Sequence, residues 1–195
     1  MSKTIEFFFD VGSPATYLAW TQLPALAARH GAQISWKPML LGGVFQATGN
    51  SSPATVEAKG RYTRTDFQRY AQRYGVTLNH NPYFPINTLQ LMRGATAFIG
   101  TEDFDRYLKA IFTAIWVDEQ DMNQPEVVGK VLARAGFDPT SVLQRISDPQ
   151  VKEQLKVVTT EAVERGVFGA PTFFVDGEMF FGQDRLEFVE AALAR

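Results

Sequence analysis

The sequence predicts an α/β fold in which a βαβ unit and a ββα unit bracket a long run of helices. Three observations carry that prediction. Runs of strand character stand near the two ends of the chain and not between them. Helical segments in the middle carry their own Pro, Gly or Asp boundary signals. An Asp-Gly pair near the C-terminus separates two short apolar runs as a tight hairpin turn would.

The first run, Thr4–Phe9, is aromatic and β-branched and stops at Asp10, which reads as a buried strand. From Pro14 the apolar positions Tyr17, Leu18, Leu23, Leu26 and Ala27 recur at helical spacing up to Gly31. Ser13 suits the N-cap, Pro14 the first helical position and Gly31 the terminator. Residues 33–37 give a second strand bounded by Pro38, and residues 41–50, with adjacent Gly42 and Gly43, read as a loop. Ser52-Pro53 opens a polar helix that Gly75 can close, and Thr101 or Asp103 caps a helix over 104–117 with Tyr107, Leu108, Ile111, Phe112 and Ile115 on one face. Asn123 or Gln124 before Pro125, Asp138-Pro139 and Asp148-Pro149 read as cap and first-turn pairs, with Gly136 ending a helix between two of them. Pro171, the strand 172–175, Asp176-Gly177 and Glu178–Phe181 then form a hairpin, and Asp184 can cap a last helix over 185–194. The expected organisation is one α/β unit from residues 1–51 and 166–195, with residues 52–165 as a helical insertion.

The chain's 195 residues, 45% of them hydrophobic, suffice for a full core without a second domain. A net charge of -2 and no local basic cluster make nucleic acid or an anionic membrane surface unexpected partners. No apolar stretch reaches the roughly 20 residues that span a bilayer, and residues 1–10 lack a basic start and a cleavage site, so the expected location is the cytoplasm. Cysteine is absent, which excludes disulfides, thiolate metal sites and protein-borne thiol chemistry. His30 and His80 are the two histidines; both read as surface residues without a positioned partner, and no metal site is expected. The reacting nucleophile is therefore an oxygen, an amine or an imported group.

The order βαβ, helices, ββα, with a proline directly before the third strand, resembles the thioredoxin fold, and the helical insertion resembles its DsbA-like branch. Three segments sharpen the likeness: Phe9-Asp10-Val11-Gly12-Ser13-Pro14-Ala15-Thr16-Tyr17, Val167-Phe168-Gly169-Ala170-Pro171-Thr172-Phe173 and Phe181-Gly182-Gln183-Asp184-Arg185. They resemble the bacterial 2-hydroxychromene-2-carboxylate isomerases and the kappa-class glutathione transferases, over nearly the whole chain.

Alone, Ser13 reads as a helix cap. In the position where a thioredoxin-like protein carries its redox cysteine, its hydroxyl is too weak an acid to replace a thiolate. It can instead donate a hydrogen bond to an anionic sulfur brought from outside. The resemblance implies that this sulfur belongs to glutathione, a cofactor, and that Ser13 is the catalytic residue that stabilises it. It further implies glutathione contacts at Asn50, Lys59, Ala170, Pro171, Gln183, Asp184 and Arg185. A cis Ala170-Pro171 bond would open Ala170's backbone to the cysteinyl part, Asp184 and the helix start after it would meet the γ-glutamyl end, and Lys59 the glycyl carboxylate. A trans proline, a capping Asp184 and solvated Lys59 and Arg185 are the alternative readings. Tyr83-Phe84-Pro85-Ile86-Asn87 is another family-like segment; Phe84 and Asn87, with Phe45, Phe112 and Trp116, can wall an aromatic substrate pocket or simply fill the core.

The activity implied is glutathione-dependent interconversion of 2-hydroxychromene-2-carboxylate, or a related aromatic-degradation intermediate, and trans-o-hydroxybenzylidenepyruvate by reversible thiolate addition. A kappa-like transferase would consume glutathione instead, and a noncatalytic thioredoxin-like binding module would do neither. A disulfide oxidoreductase is excluded, because no mixed disulfide forms without a cysteine. The resemblance also implies a homodimer.

Overall fold

The computed structural model describes residues 3–195. Strands β1 (Thr4–Phe9), β2 (Gln33–Pro38), β3 (Thr172–Val175) and β4 (Glu178–Phe181) form one mixed sheet in the order β2-β1-β3-β4. β1 runs parallel to β2, with Phe7 opposite Trp36, and antiparallel to β3, with Phe7 opposite Phe173. A parallel neighbour needs a crossover, which helix α1 (Pro14–Arg29) supplies. β3 and β4 need only the pair Asp176-Gly177, whose φ angles of 50° and 82° match the left-handed residues of a hairpin turn.

Alternation along β1 builds a core on each face of the sheet. Ile5, Phe7 and Phe9 point into the larger cluster, where Phe7 stacks between Phe9 and Phe173 at centroid distances of 5.3 and 5.1 Å. Phe8 points the other way, toward Met39, Val44, Ala162, Val167 and Phe174. Beside it Arg165 grips both carboxylate oxygens of Glu6 at 2.7 Å, holding that carboxyl below its usual pKa, and lies 3.9 Å over the Phe174 ring.

Between β2 and β3 the chain is helical: α2 (Leu41–Thr48), α3 (Glu57–Tyr74), α4 (Leu89–Phe98), α5 (Phe104–Trp116), α6 (Pro125–Arg134), α7 (Pro139–Ser147) and α8 (Pro149–Glu164), with α9 (Leu186–Leu193) after the hairpin. Asp138 and Asp148 cap α7 and α8 through their side chains, and Gly75 ends α3 in the left-handed conformation, as their sequence signals predict. Among the described residues no helix is long and apolar enough to cross a membrane.

Five local expectations need correction. Leu41–Thr48 is a helix rather than part of a loop: Gly42 and Gly43 weaken local propensity, but tertiary contacts supply what the sequence lacks. The Leu40 N–H donates to Thr159 Oγ1 at 3.0 Å, the Leu41 N–H to Asp10 Oδ2 at 2.8 Å, and Val44 is buried. After Ser52 the chain makes a 3₁₀ turn, Pro53–Thr55, before α3 begins. Asp103 precedes α5 without a capping bond, because its carboxylate pairs with Arg106 at 2.6 Å. Asp184 does not cap the last helix; it lies within a 3₁₀ turn, Gln183–Arg185, and α9 starts at Leu186. His30 does have a partner, Glu190, across the α1–α9 junction at 3.0 Å.

The end of β1 is the junction on which the functional face hangs. Asp10 is 1% exposed, and its carboxylate accepts from the Gly12 N–H (2.9 Å), the Leu41 N–H (2.8 Å) and the Thr88 hydroxyl (3.0 Å). One side chain thus ties the Gly12-Ser13 turn to the starts of α2 and α4. The next residue is held as firmly: the Val11 N–H meets Met92 Sδ at 3.3 Å and the Val11 C=O accepts from the Trp116 indole at 2.8 Å.

Two substitutions test this packing. Asp10→Ala strands three donors without an acceptor and should lower unfolding stability by roughly 2–5 kcal/mol in denaturant titration; an unchanged midpoint would contradict the junction. At Gly94 an added Cβ would overlap the Tyr107 hydroxyl, which donates to the Leu91 C=O at 2.9 Å. Gly94→Ala should therefore destabilise by about 1–3 kcal/mol despite the gain of roughly 1 kcal/mol in helix propensity, and a stabilised variant would show that Tyr107 moves freely.

Candidate functional site

A cleft of about 1130 Å³ opens between the N-terminus of α1 and the helices that follow β2. Its lining brings together Ser13 and Ala15 of α1, Phe45 of α2, the segment from Asn50 to Val56, one face of α3 with Lys59, Thr63, Arg64 and Phe67, Phe84 and Trp116, and the turns at Phe168 to Ala170 and Gly182 to Asp184.

Ser13 is the N-cap of α1 and 6% exposed. Its hydroxyl accepts from the Thr16 N–H at 3.2 Å and donates to the Ala170 C=O at 3.1 Å, so it bridges the helix start to the residue before Pro171. The Ala170-Pro171 bond is cis, as is Phe84-Pro85. In the first turn of α1, Pro14 has no N–H, the Thr16 N–H is capped and the Tyr17 N–H bonds the Ser13 C=O at 3.1 Å. The Ala15 N–H has no acceptor among the described residues. A rotatable hydroxyl and a free N–H thus stand together at the positive end of a sixteen-residue helix, a setting that favours an anion.

The other expected ligands divide by what already occupies them. Asn50 lines the cleft, but its Nδ2 donates to the Phe168 C=O at 2.7 Å and its Oδ1 accepts from the Ser51 N–H at 2.8 Å; it pins the end of α2 to the segment carrying Ala170. Lys59 lines the cleft and has no ion pair with a described residue. Gln183 is buried on the wall, its C=O accepting from Tyr74 at 3.0 Å, and burial pushes the Tyr74 phenol up to about 12. Asp184 reaches the cleft while pairing at 2.6 Å with Arg185, which stands outside the lining, as does the Pro171 ring.

Of the aromatic wall, Phe45, Phe84 and Trp116 border the cleft. Trp116 is nearly buried and spends its indole N–H on Val11, so it supports the Ser13 turn as well as the wall. Phe112 packs in the core against Trp20 at 4.9 Å. Asn87 lies outside the cleft and is exposed; its Oδ1 accepts from the Leu89 N–H at 3.2 Å at the start of α4. Sequence reasoning missed Asp10, taken merely as the end of a strand. Burial pushes its carboxyl pKa up, against the three donated hydrogen bonds. An acidic residue closing a run of buried aromatics was the available signal. Also missed were Arg64 and His80 on the cleft wall.

Comparison with known proteins agrees with this fold. Residues 4–194 match the DSBA-like thioredoxin domain model. The 2-hydroxychromene-2-carboxylate isomerase of Sphingobium xenophagum is 32% identical over 198 residues, with 99% of each chain covered. Glutathione S-transferase kappa 1 of Homo sapiens is 27% identical, covering 96% of this chain and 89% of its own. A solved 2-hydroxychromene-2-carboxylate isomerase structure superposes with a TM-score of 0.88 at 30% identity, covering 98% of this chain and 95% of the other. The chain belongs to the DsbA-like thioredoxin family, in the group that holds the 2-hydroxychromene-2-carboxylate isomerases and the kappa-class glutathione transferases.

Proposed function

We propose that this protein is a glutathione-dependent isomerase that interconverts 2-hydroxychromene-2-carboxylate, or a closely related aromatic-degradation intermediate, and trans-o-hydroxybenzylidenepyruvate. The observation that carries the reading is the Ser13 hydroxyl beside the unpartnered Ala15 N–H at the α1 N-terminus, inside a large cleft, in a chain without cysteine.

The residues present suit the tripeptide. An anion-favouring helix end fits a thiolate, the free ammonium of Lys59 fits the glycyl carboxylate, and the Gln183–Arg185 turn with the Asp184 carboxylate fits the amino-acid end. Bound glutathione would supply the nucleophile the chain lacks, a thiolate that adds reversibly to a conjugated alkene so that the carbon–carbon bond can rotate before elimination restores alkene and thiolate.

The protein's part is stabilisation and placement. With glutathione bound, Ser13 would turn its hydroxyl from the Ala170 C=O toward the sulfur and donate a hydrogen bond, and the Ala15 N–H and the α1 dipole would add to the same field. Asp10, Met92 and Trp116 keep that turn from shifting. Phe45, Phe84 and Trp116 offer flat apolar surface to an aromatic ring, orienting it while limiting water. A kappa-like transferase would use the same apparatus but release the adduct, so recovery of glutathione separates the two.

Turnover of 2-hydroxychromene-2-carboxylate followed by absorbance should require added glutathione, which should be recovered unchanged. Ser13→Ala should lower kcat/KM by about 10²–10³, the scale of one oxyanion-type donor. Full activity without glutathione would refute the reading, and near parental activity in Ser13→Ala would leave the backbone donors as the activators.

A further inference from the structure

Five cations lie along α3: Lys59, Arg61, Arg64, Arg69 and Arg73. Three are neutralised by carboxylates, Arg61 by Glu57, Arg69 by Asp66 at 3.3 Å and Arg73 by Glu187 at 2.6 Å. The remaining two, Lys59 and Arg64, have no ion pair or side-chain hydrogen bond with any described residue, and they are the two that line the cleft. Gly60, Thr63, Arg64 and Phe67 follow the i, i+3, i+4, i+7 spacing of one helix face and all border the same space.

Among the described residues, no free carboxylate in the cleft compensates them. Asp10 is buried and engaged by three donors, Asp184 is paired with Arg185, and the remaining ionisable group on the wall is His80. The chain as a whole carries a net charge of -2, so this positive lining is a local feature rather than a general one. Five residues of helix put the backbones of Lys59 and Arg64 about 7.5 Å apart along the axis, which suits two anionic groups better than one. Arg64 precedes Phe67 by one turn, and Gln68 next to Phe67 donates to the Leu78 C=O at 2.7 Å; Leu78, Phe84, Ile86 and Trp116 line the same cleft.

We propose that Arg64 is the residue that selects a carboxylated second substrate, its guanidinium receiving the acid group while the apolar wall takes the aromatic ring. This rests on the proposed glutathione site, where Lys59 serves the cofactor's own carboxylate. A planar five-donor fork matches the two oxygens of a carboxylate, and it adds specificity that an apolar wall alone does not give.

The test is calorimetry with chromone-2-carboxylate, a stable flat acid, and its neutral amide, on protein saturated with S-methylglutathione, whose capped sulfur prevents reaction. The parent protein should bind the acid more tightly than the amide by about tenfold or more, the scale of charge-assisted hydrogen bonding. Arg64→Gln should bring that ratio close to one without changing S-methylglutathione affinity. Arg64→Lys should keep part of the preference, and Lys59→Gln should show the reverse pattern. An acid preference that is absent in the parent, survives in Arg64→Gln or follows Lys59 would overturn the assignment. Failure of S-methylglutathione to bind would strike the cofactor reading instead, and the acid–amide ratio on the free protein would still decide Arg64. Intact acid selection without chromene turnover would count against the isomerase reading alone.

Discussion

Burying a carboxylate is costly unless its lone pairs are occupied, and the arrangement around Asp10 shows that cost converted into position. The donors that satisfy it come from three places in the sequence: the next turn, the start of α2 and the cap of α4. None of these segments would find the others through apolar packing alone with comparable directionality. Because the Gly12 N–H is among the donors, the segment that presents Ser13 is set by the same carboxylate that anchors Thr88 and the start of α2, both of which line the cleft. The cleft and its reactive end therefore form as one unit.

The helices after β2 do more than enclose a pocket. Met92 and Trp116 bond the two sides of the Val11 peptide, and Asn50 bonds the Phe168 carbonyl just ahead of Ala170. The thioredoxin-like framework thus supplies a helix end pointing at the cleft, and the helical residues hold that end still. With serine in place of a thiol, such rigidity matters: a hydroxyl stabilises a neighbouring anion only along the direction in which it donates. In the proposed reaction the bond that breaks and reforms belongs to no protein atom, so electrostatic placement is the protein's whole contribution.

Local signals revealed most of the architecture. Thr4–Phe9 carried its strand in composition, Asp176-Gly177 its hairpin turn, and Asp138 and Asp148 their caps, because each depends on neighbours within a few positions. What escaped depends on distant partners. α2 was obscured by Gly42 and Gly43 and is made a helix by Asp10 and Thr159; Asp184 lost its expected capping role where Gly182, at φ 104°, leads into a 3₁₀ turn. The motifs named in the sequence bring Ser13, Asn50, Lys59, Ala170, Gln183 and Asp184 around one cleft, while Pro171, Arg185 and Asn87 fall outside its lining. Charge pairing was not legible, since five cations on one helix look alike until their partners are seen.

The central claim is that the N-terminal end of α1 stabilises a sulfur anion the chain does not itself possess. The most direct measurement is a pH titration of the ultraviolet thiolate absorbance of glutathione bound to the protein. The account predicts a thiol pKa at least about one unit below the ordinary cysteine value of roughly 8.5. A bound thiol that titrates at or above the ordinary value would contradict it.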